Sequence, residues 1–132
     1  INEKKGQSFT TSIVNMLSIK IQSIKQAVEN LSGGNQQKVV LAKWLLTKPN
    51  ILLFDEPTRG IDVGAKAEVF ELINSLVMEG KAVLIISSEM QELVGIADRV
   101  IVMCEGKING ELMGKEITQE KIMALASPKN NN

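Results

Sequence analysis

Ile51-Leu52-Leu53-Phe54 runs directly into Asp55-Glu56-Pro57, and few short stretches restrict a fold as tightly. A strand apolar on both faces needs cover on both, which a parallel sheet flanked by helices provides. Ligands of such sheets bind beyond the carboxyl ends of the strands, where Asp55 and Glu56 fall. Acids often end core strands, so the pair gains meaning from its position. It lies one helix after a glycine loop and just ahead of Thr58-Arg59-Gly60-Ile61-Asp62.

That glycine loop is Leu31-Ser32-Gly33-Gly34. Ser32 suits an N-cap whose hydroxyl accepts a first-turn amide hydrogen. Two glycines let the backbone approach whatever docks there. A helix start with unpaired N–H groups and the positive dipole end is an anion site, and phosphate is the commonest biological anion. Alone, the loop reads equally as a glycine-rich cap. Joined to the strand and its acids, it reads as phosphate chemistry, in which one carboxylate holds Mg²⁺ and another orients or deprotonates the attacking water.

LSGGNQQK, then a helix, then ILLFDEPTRGID resembles the signature loop, Walker B strand and D-loop of an ABC ATPase. With DEPTRGIDVGAK it is similar, more narrowly, to the C-terminal half of the duplicated ATPase of bacterial sugar importers of ribose and galactose type. The resemblance covers about Leu31 to Ala126. It implies an α/β fold, a partial P-loop NTPase (RecA-like) three-layer sandwich with a mostly parallel sheet and a C-terminal hairpin. It implies ATP and Mg²⁺ as cofactors, with Ser32, Gly33, Gly34, Gln36 and Asp62 binding nucleotide. Asp55 would hold Mg²⁺ through water, and Glu56 and Ser88 would be catalytic. ABC sites are composite, so Ser32–Gly34 would clamp ATP held by the other half, while Asp55 and Glu56 would serve ATP on this half's own P-loop. Asp62 would lie at the seam, and Arg59 is either a seam residue or a surface charge.

Two features depart from that pattern. Gly110-Glu111-Leu112-Met113-Gly114-Lys115-Glu116 is the nearest run to G-x-x-x-x-G-K-S/T. It is one residue short, puts Glu116 where the Mg²⁺-binding hydroxyl should be and follows a hairpin, so it is not a phosphate loop. Starting at Ile1 rather than Met, the chain reads as a fragment cut away from its Walker A and inactive by itself. The second departure is Ser88, which occupies the place of the family's switch histidine in a chain without histidine. Serine cannot carry imidazole's charge or shuttle its proton, and Ser88 reads otherwise as the N-cap of the next helix.

The 132 residues make one domain at most, with formal net charge zero and 3% aromatics, against the basic, ring-bearing face that nucleic acid requires. No apolar run approaches a membrane span, and there is no secretory signal. Cys104 alone cannot form an intrachain disulfide. Expected domains are 1–30, a lead-in and remnant of a helical subdomain; 31–126, the C-terminal part of the ATPase domain; and 127–132, a disordered tail. Residues 1–12 read as a frayed lead-in, with a short helix ending near Leu17 and an alternating strand at Ser18–Gln22. Further helices are expected over 35–47, with Val39, Ala42 and Leu46 inward and Trp44 in the core, and over 63–79, capped by Asp62 and closed by Gly80. The strand Ala82–Ser87, the helix of Met90, Leu93, Val94 and Ala97, and a hairpin turned at Glu105-Gly106 follow. Thr118 caps a last helix to Ala126.

The reading that results is part of an ATP-hydrolysing subunit for sugar import, peripheral on the cytoplasmic face of the inner membrane. Its implied partners are an N-terminal ATPase half or second ATPase subunit, a membrane permease and, indirectly, a periplasmic sugar-binding protein, with no nucleic acid and with self-association of the fragment. The alternatives are a non-catalytic dimerisation module and a soluble ABC ATPase of translation or repair.

Overall fold

The computed structural model describes residues 3–128, so the expected tail lies outside them beyond Pro128. The chain divides into two compact units between Ile86 and Ser87. The α/β class holds: a parallel strand pair with its helices comes first, and an antiparallel hairpin with its helices follows.

In the first unit, α1 (Glu3–Met16) replaces the expected frayed lead-in. The segment after it is not the expected strand. Ile19 N–H bonds back to the Val14 carbonyl at 2.9 Å, and Lys20 N–H donates to Asn35 Oδ1 at 2.8 Å. Its alternation serves a different end, because Leu17 and Ile19 turn inward onto Ala42.

The helix α2 (Gly33–Leu45) starts two residues earlier than expected and buries Gly34, Lys38, Leu41 and Ala42. Trp44 is 62% exposed, and Leu46 is 43% exposed. At 100° per residue both lie about 100° off the stripe through Leu41 and Leu45. The core placement of Trp44 is therefore corrected: α2 is anchored by smaller residues, and the indole sits on its outer flank.

Then β1 (Ile51–Asp55) pairs in parallel with β2 (Ala82–Ile86), Ile51 opposite Ala82 and Asp55 opposite Ile86. Between them runs α3 (Val63–Met78), whose Val69, Ile73 and Leu76 close on Leu41, Leu52 and Phe54. Asp62 caps α3 as expected, its Oδ1 accepting from Ala65 N–H at 3.0 Å. Gly80 has φ +86°, which suits the residue that closes the helix. The sheet is covered on one face only. Ile51, Leu53, Leu84 and Ile86 are 65%, 68%, 51% and 53% exposed, so the two-sided burial read from the apolar run is half realised among the described residues.

The second unit holds α4 (Met90–Ile96), β3 (Arg99–Cys104), β4 (Lys107–Met113) and α5 (Gln119–Ala126). The strands turn at Glu105 and Gly106, with φ +48° and +76°, the two positive values that a tight two-residue hairpin demands. Val100, Val102 and Leu112 form its core with Ile117 and Ile122. Thr118 Oγ1 accepts from Lys121 N–H at 3.3 Å and caps α5. The run from Gly110 to Met113 is strand, and Gly114–Glu116 is one tight helical turn.

Candidate functional site

Ser32 holds the N-cap position of α2 with extended backbone, yet makes no side-chain cap bond. Its Oγ instead accepts from Asn35 Nδ2 at 2.8 Å. The expected capping hydrogen bond is thus corrected: the hydroxyl accepts from the Asn35 side chain and not from a first-turn amide. Gln36 braces the loop from behind, its Nε2 donating to the Leu31 carbonyl at 2.9 Å and the Glu29 carbonyl at 3.3 Å. First-turn amides have no partner within their own helix, so the dipole end of α2 carries donors beside an exposed serine.

The two glycines meet the turn that leads into α3. A methyl on Gly33 would lie 3.3 Å from Ile61 Cγ2, and one on Gly34 would lie 2.5 Å from the Ala65 methyl. Gly34 is therefore required by helix contact, whatever docks on the loop. The loop and the 60–65 segment are brought together by this packing. Two helix starts lie side by side: Ser32 heads α2, and Asp62 heads α3.

Asp55 ends β1 and is exposed, and Glu56 follows half-buried with φ +47°. A side chain in that left-handed region costs roughly 1–3 kcal/mol and persists where its surroundings hold it. Here the Glu56 N–H donates to the Ile86 carbonyl at 2.8 Å, extending the β1–β2 ladder by one bond. Pro57 and Thr58 are buried beneath the turn, Thr58 only 1% exposed, while Arg59 is exposed. Gly60, at φ +77°, releases the chain toward Asp62.

Ser88 stands exposed in the second unit. It is not the N-cap of α4; that position is Glu89. Ser87 does the local work, its Oγ accepting from Glu89 N–H at 3.0 Å and donating to Glu92 Oε2 at 2.9 Å. The capping reading of Ser88 is thus corrected: Glu89 heads α4, and the Glu89 amide is met by Ser87 Oγ in the turn before it.

Sequence reasoning missed one group. Lys38 is 3% exposed, and its Nζ lies 2.7 Å from Glu68 Oε2 and 3.3 Å from the Ser18 carbonyl. Lys20 reaches the other Glu68 oxygen at 3.3 Å. The Lys38 hydrogen bond, helped by Lys20, holds the Glu68 carboxyl below its ordinary range. The available signal was periodicity, since Lys38 shares the stripe of Gly34, Leu41 and Leu45.

Residues 3–59 match the family described as ABC transporter. The chain is 52% identical over 126 residues to the ribose import ATP-binding protein of Clostridium tetani, spanning 96% of this chain and 25% of that protein. To the xylose import ATP-binding protein of Moorella thermoacetica it is 58% identical over 127 residues, with the same 96% and 25%. It thus spans about a quarter of the length of these relatives. A solved ABC transporter ATP-binding cassette in its ADP conformation superposes with TM-score 0.76 at 26% identity, over 88% of this chain and 47% of that one. A dimeric bacterial cassette shares the fold with TM-score 0.72 at 22% identity, over 86% and 49%.

Proposed function

Because the chain belongs to the ABC transporter family of ATP-binding proteins, we propose that it is the C-terminal part of an ATP-hydrolysing subunit that energises sugar import. The observation that carries this reading is the packing of the Ser32–Gly34 loop against the turn before Asp62, in a chain so close to sugar import ATP-binding proteins.

The Ser32 hydroxyl and the first amides of α2 bind terminal phosphate oxygens of ATP held on another half or subunit, which lies across a seam lined by Asp62. Gln36 keeps the loop rigid enough to act as a clamp. That clamped site is the hydrolytic one; at the other site, which has Ser88 in place of histidine and mainly holds nucleotide, Glu56 orients the attacking water and draws off its proton only slowly. Ser88 stands where the family's histidine would stand and contributes a hydrogen bond without a charge.

Among the described residues no group of three or more potential ligands forms a metal cage. Mg²⁺ does not require one, since it is commonly held by one or two carboxylates together with substrate phosphates. The exposed carboxylate of Asp55, a hard oxygen donor, fits that pattern. When bound, the ion neutralises charge on the phosphates.

No helix among the described residues is long and apolar enough to cross a membrane. We assign the whole protein to the cytoplasmic face of the inner membrane, docked on a permease that is fed by a periplasmic sugar-binding protein.

The test uses the full-length protein with its permease in vesicles. Phosphate release should rise when binding protein loaded with ribose, galactose or xylose is supplied. Hydrolysis indifferent to all three sugars would contradict the import reading.

A further inference from the structure

Ser32 is engaged by Asn35 in a way that restricts the direction of its hydrogen. Asn35 Oδ1 accepts from the Lys20 backbone N–H at 2.8 Å, and Asn35 Nδ2 donates to Ser32 Oγ at 2.8 Å. The orientation of the amide follows from chemistry. A backbone N–H can only donate, so the atom facing Lys20 is oxygen and the atom facing Ser32 is nitrogen. A hydroxyl accepting from Asn35 cannot return its hydrogen along the same line. That hydrogen is left to the remaining staggered positions of the hydroxyl, on a serine that is exposed at the dipole end of α2.

We propose that Asn35 is a positioning residue: the Lys20–Asn35–Ser32 relay presets the Ser32 hydroxyl as a donor toward a phosphate oxygen of the bound nucleotide. The inference rests on the assignment of Ser32–Gly34 to nucleotide phosphate. Its physical value is preorganisation, since a donor already aimed at developing charge needs no reorientation during the reaction. The segment Ser18–Gln22 thereby gains a role. It carries the fixed N–H that holds the amide, and Leu17 and Ile19 anchor it in the core.

The experiment measures steady-state phosphate release by the full-length ATPase with its permease, beside thermal midpoints. Asn35→Asp keeps the shape and the bond to Lys20 but presents Ser32 with an acceptor, so the hydroxyl turns inward. Turnover should fall about tenfold or more with little change in midpoint. Asn35→Leu and Ser32→Ala should each cost about tenfold, and the double variant should be within about twofold of Ser32→Ala alone, because the two residues act as one unit. Normal turnover in Asn35→Asp, or losses that multiply in the double variant, would overturn the relay. Normal turnover in Ser32→Ala would overturn it together with the phosphate assignment beneath it. Impaired Ser32→Ala beside normal Asn35→Asp leaves that assignment standing and removes the relay alone.

Discussion

At Gly34 two demands meet in one residue. A methyl there would sit 2.5 Å from the Ala65 methyl, nearer than two carbons can approach, so the contact of α2 with α3 excludes a side chain. Gly34→Ala should cost about 1–3 kcal/mol in denaturant unfolding, the usual range for overpacking. Ala65→Gly in the same chain should recover most of that loss, and an unchanged midpoint in Gly34→Ala would show that the helices separate freely. A second expectation concerns Glu68, whose folded pKa is lowered from 4.5 by Lys38 first and Lys20 second. A lowered carboxyl contributes stability above the unfolded value and loses it as pH falls through the folded value. In Lys38→Met the Glu68 carboxyl should titrate at higher pH by NMR, and the acid-dependent loss of stability between the unfolded and folded values should shrink, because the folded value moves back toward the unfolded one. The caps at Asp62 and Thr118 were legible in sequence because each depends on neighbours within four residues. Lys38 lay on a readable stripe, but which flank of α2 turns inward, and so where Trp44 falls, is decided by α3 and by Leu17 and Ile19, far along the chain.

Among the elements, the β1–β2 pair shows what an apolar run does and does not specify. Strand, parallel pairing and the acids at the carboxyl end were readable from composition and order. Full cover was not, because a sequence run does not reveal how much of its surrounding layer is present. Ile51, Leu53, Leu84 and Ile86 leave an apolar face in contact with solvent. Burying such a side chain is worth about 1.5–3 kcal/mol. As a separate polypeptide the 132-residue chain should therefore associate through this face, and Leu53→Lys with Leu84→Lys should weaken the association. Light scattering over a wide concentration range measures it; a monomer throughout would mean that the face is tolerated in water. The exposed flank of α2 offers an independent check. Trp44, the sole tryptophan, should show solvent-like emission and open quenching by iodide.

For the whole molecule, the motifs did what no single element could. LSGGNQQK and DEPTRGID pointed to the family before any coordinates, through the joint resemblance of loop, helix, strand and acids to its signature, Walker B and D-loop motifs. The division between Ile86 and Ser87 was not legible, since no glycine- or proline-rich linker marks it. Nor did sequence reveal that Gly34 serves packing, which makes it a poor probe of phosphate contact. Ser32, whose side chain is exposed, is a better one. The central claim is that Ser32–Gly34 complete a hydrolytic site on another half, whereas the site of Glu56, with Ser88 in place of histidine, mainly holds nucleotide. Phosphate release by the full-length ATPase with its permease, at saturating Mg-ATP, tests it most directly. Ser32→Glu places a carboxylate against phosphate in a water-poor site, where like charges repel strongly, and should abolish release. Glu56→Gln should retain a substantial part, falling only a few-fold. Equal rates in the two variants, whether both lost or both preserved, would contradict the claim.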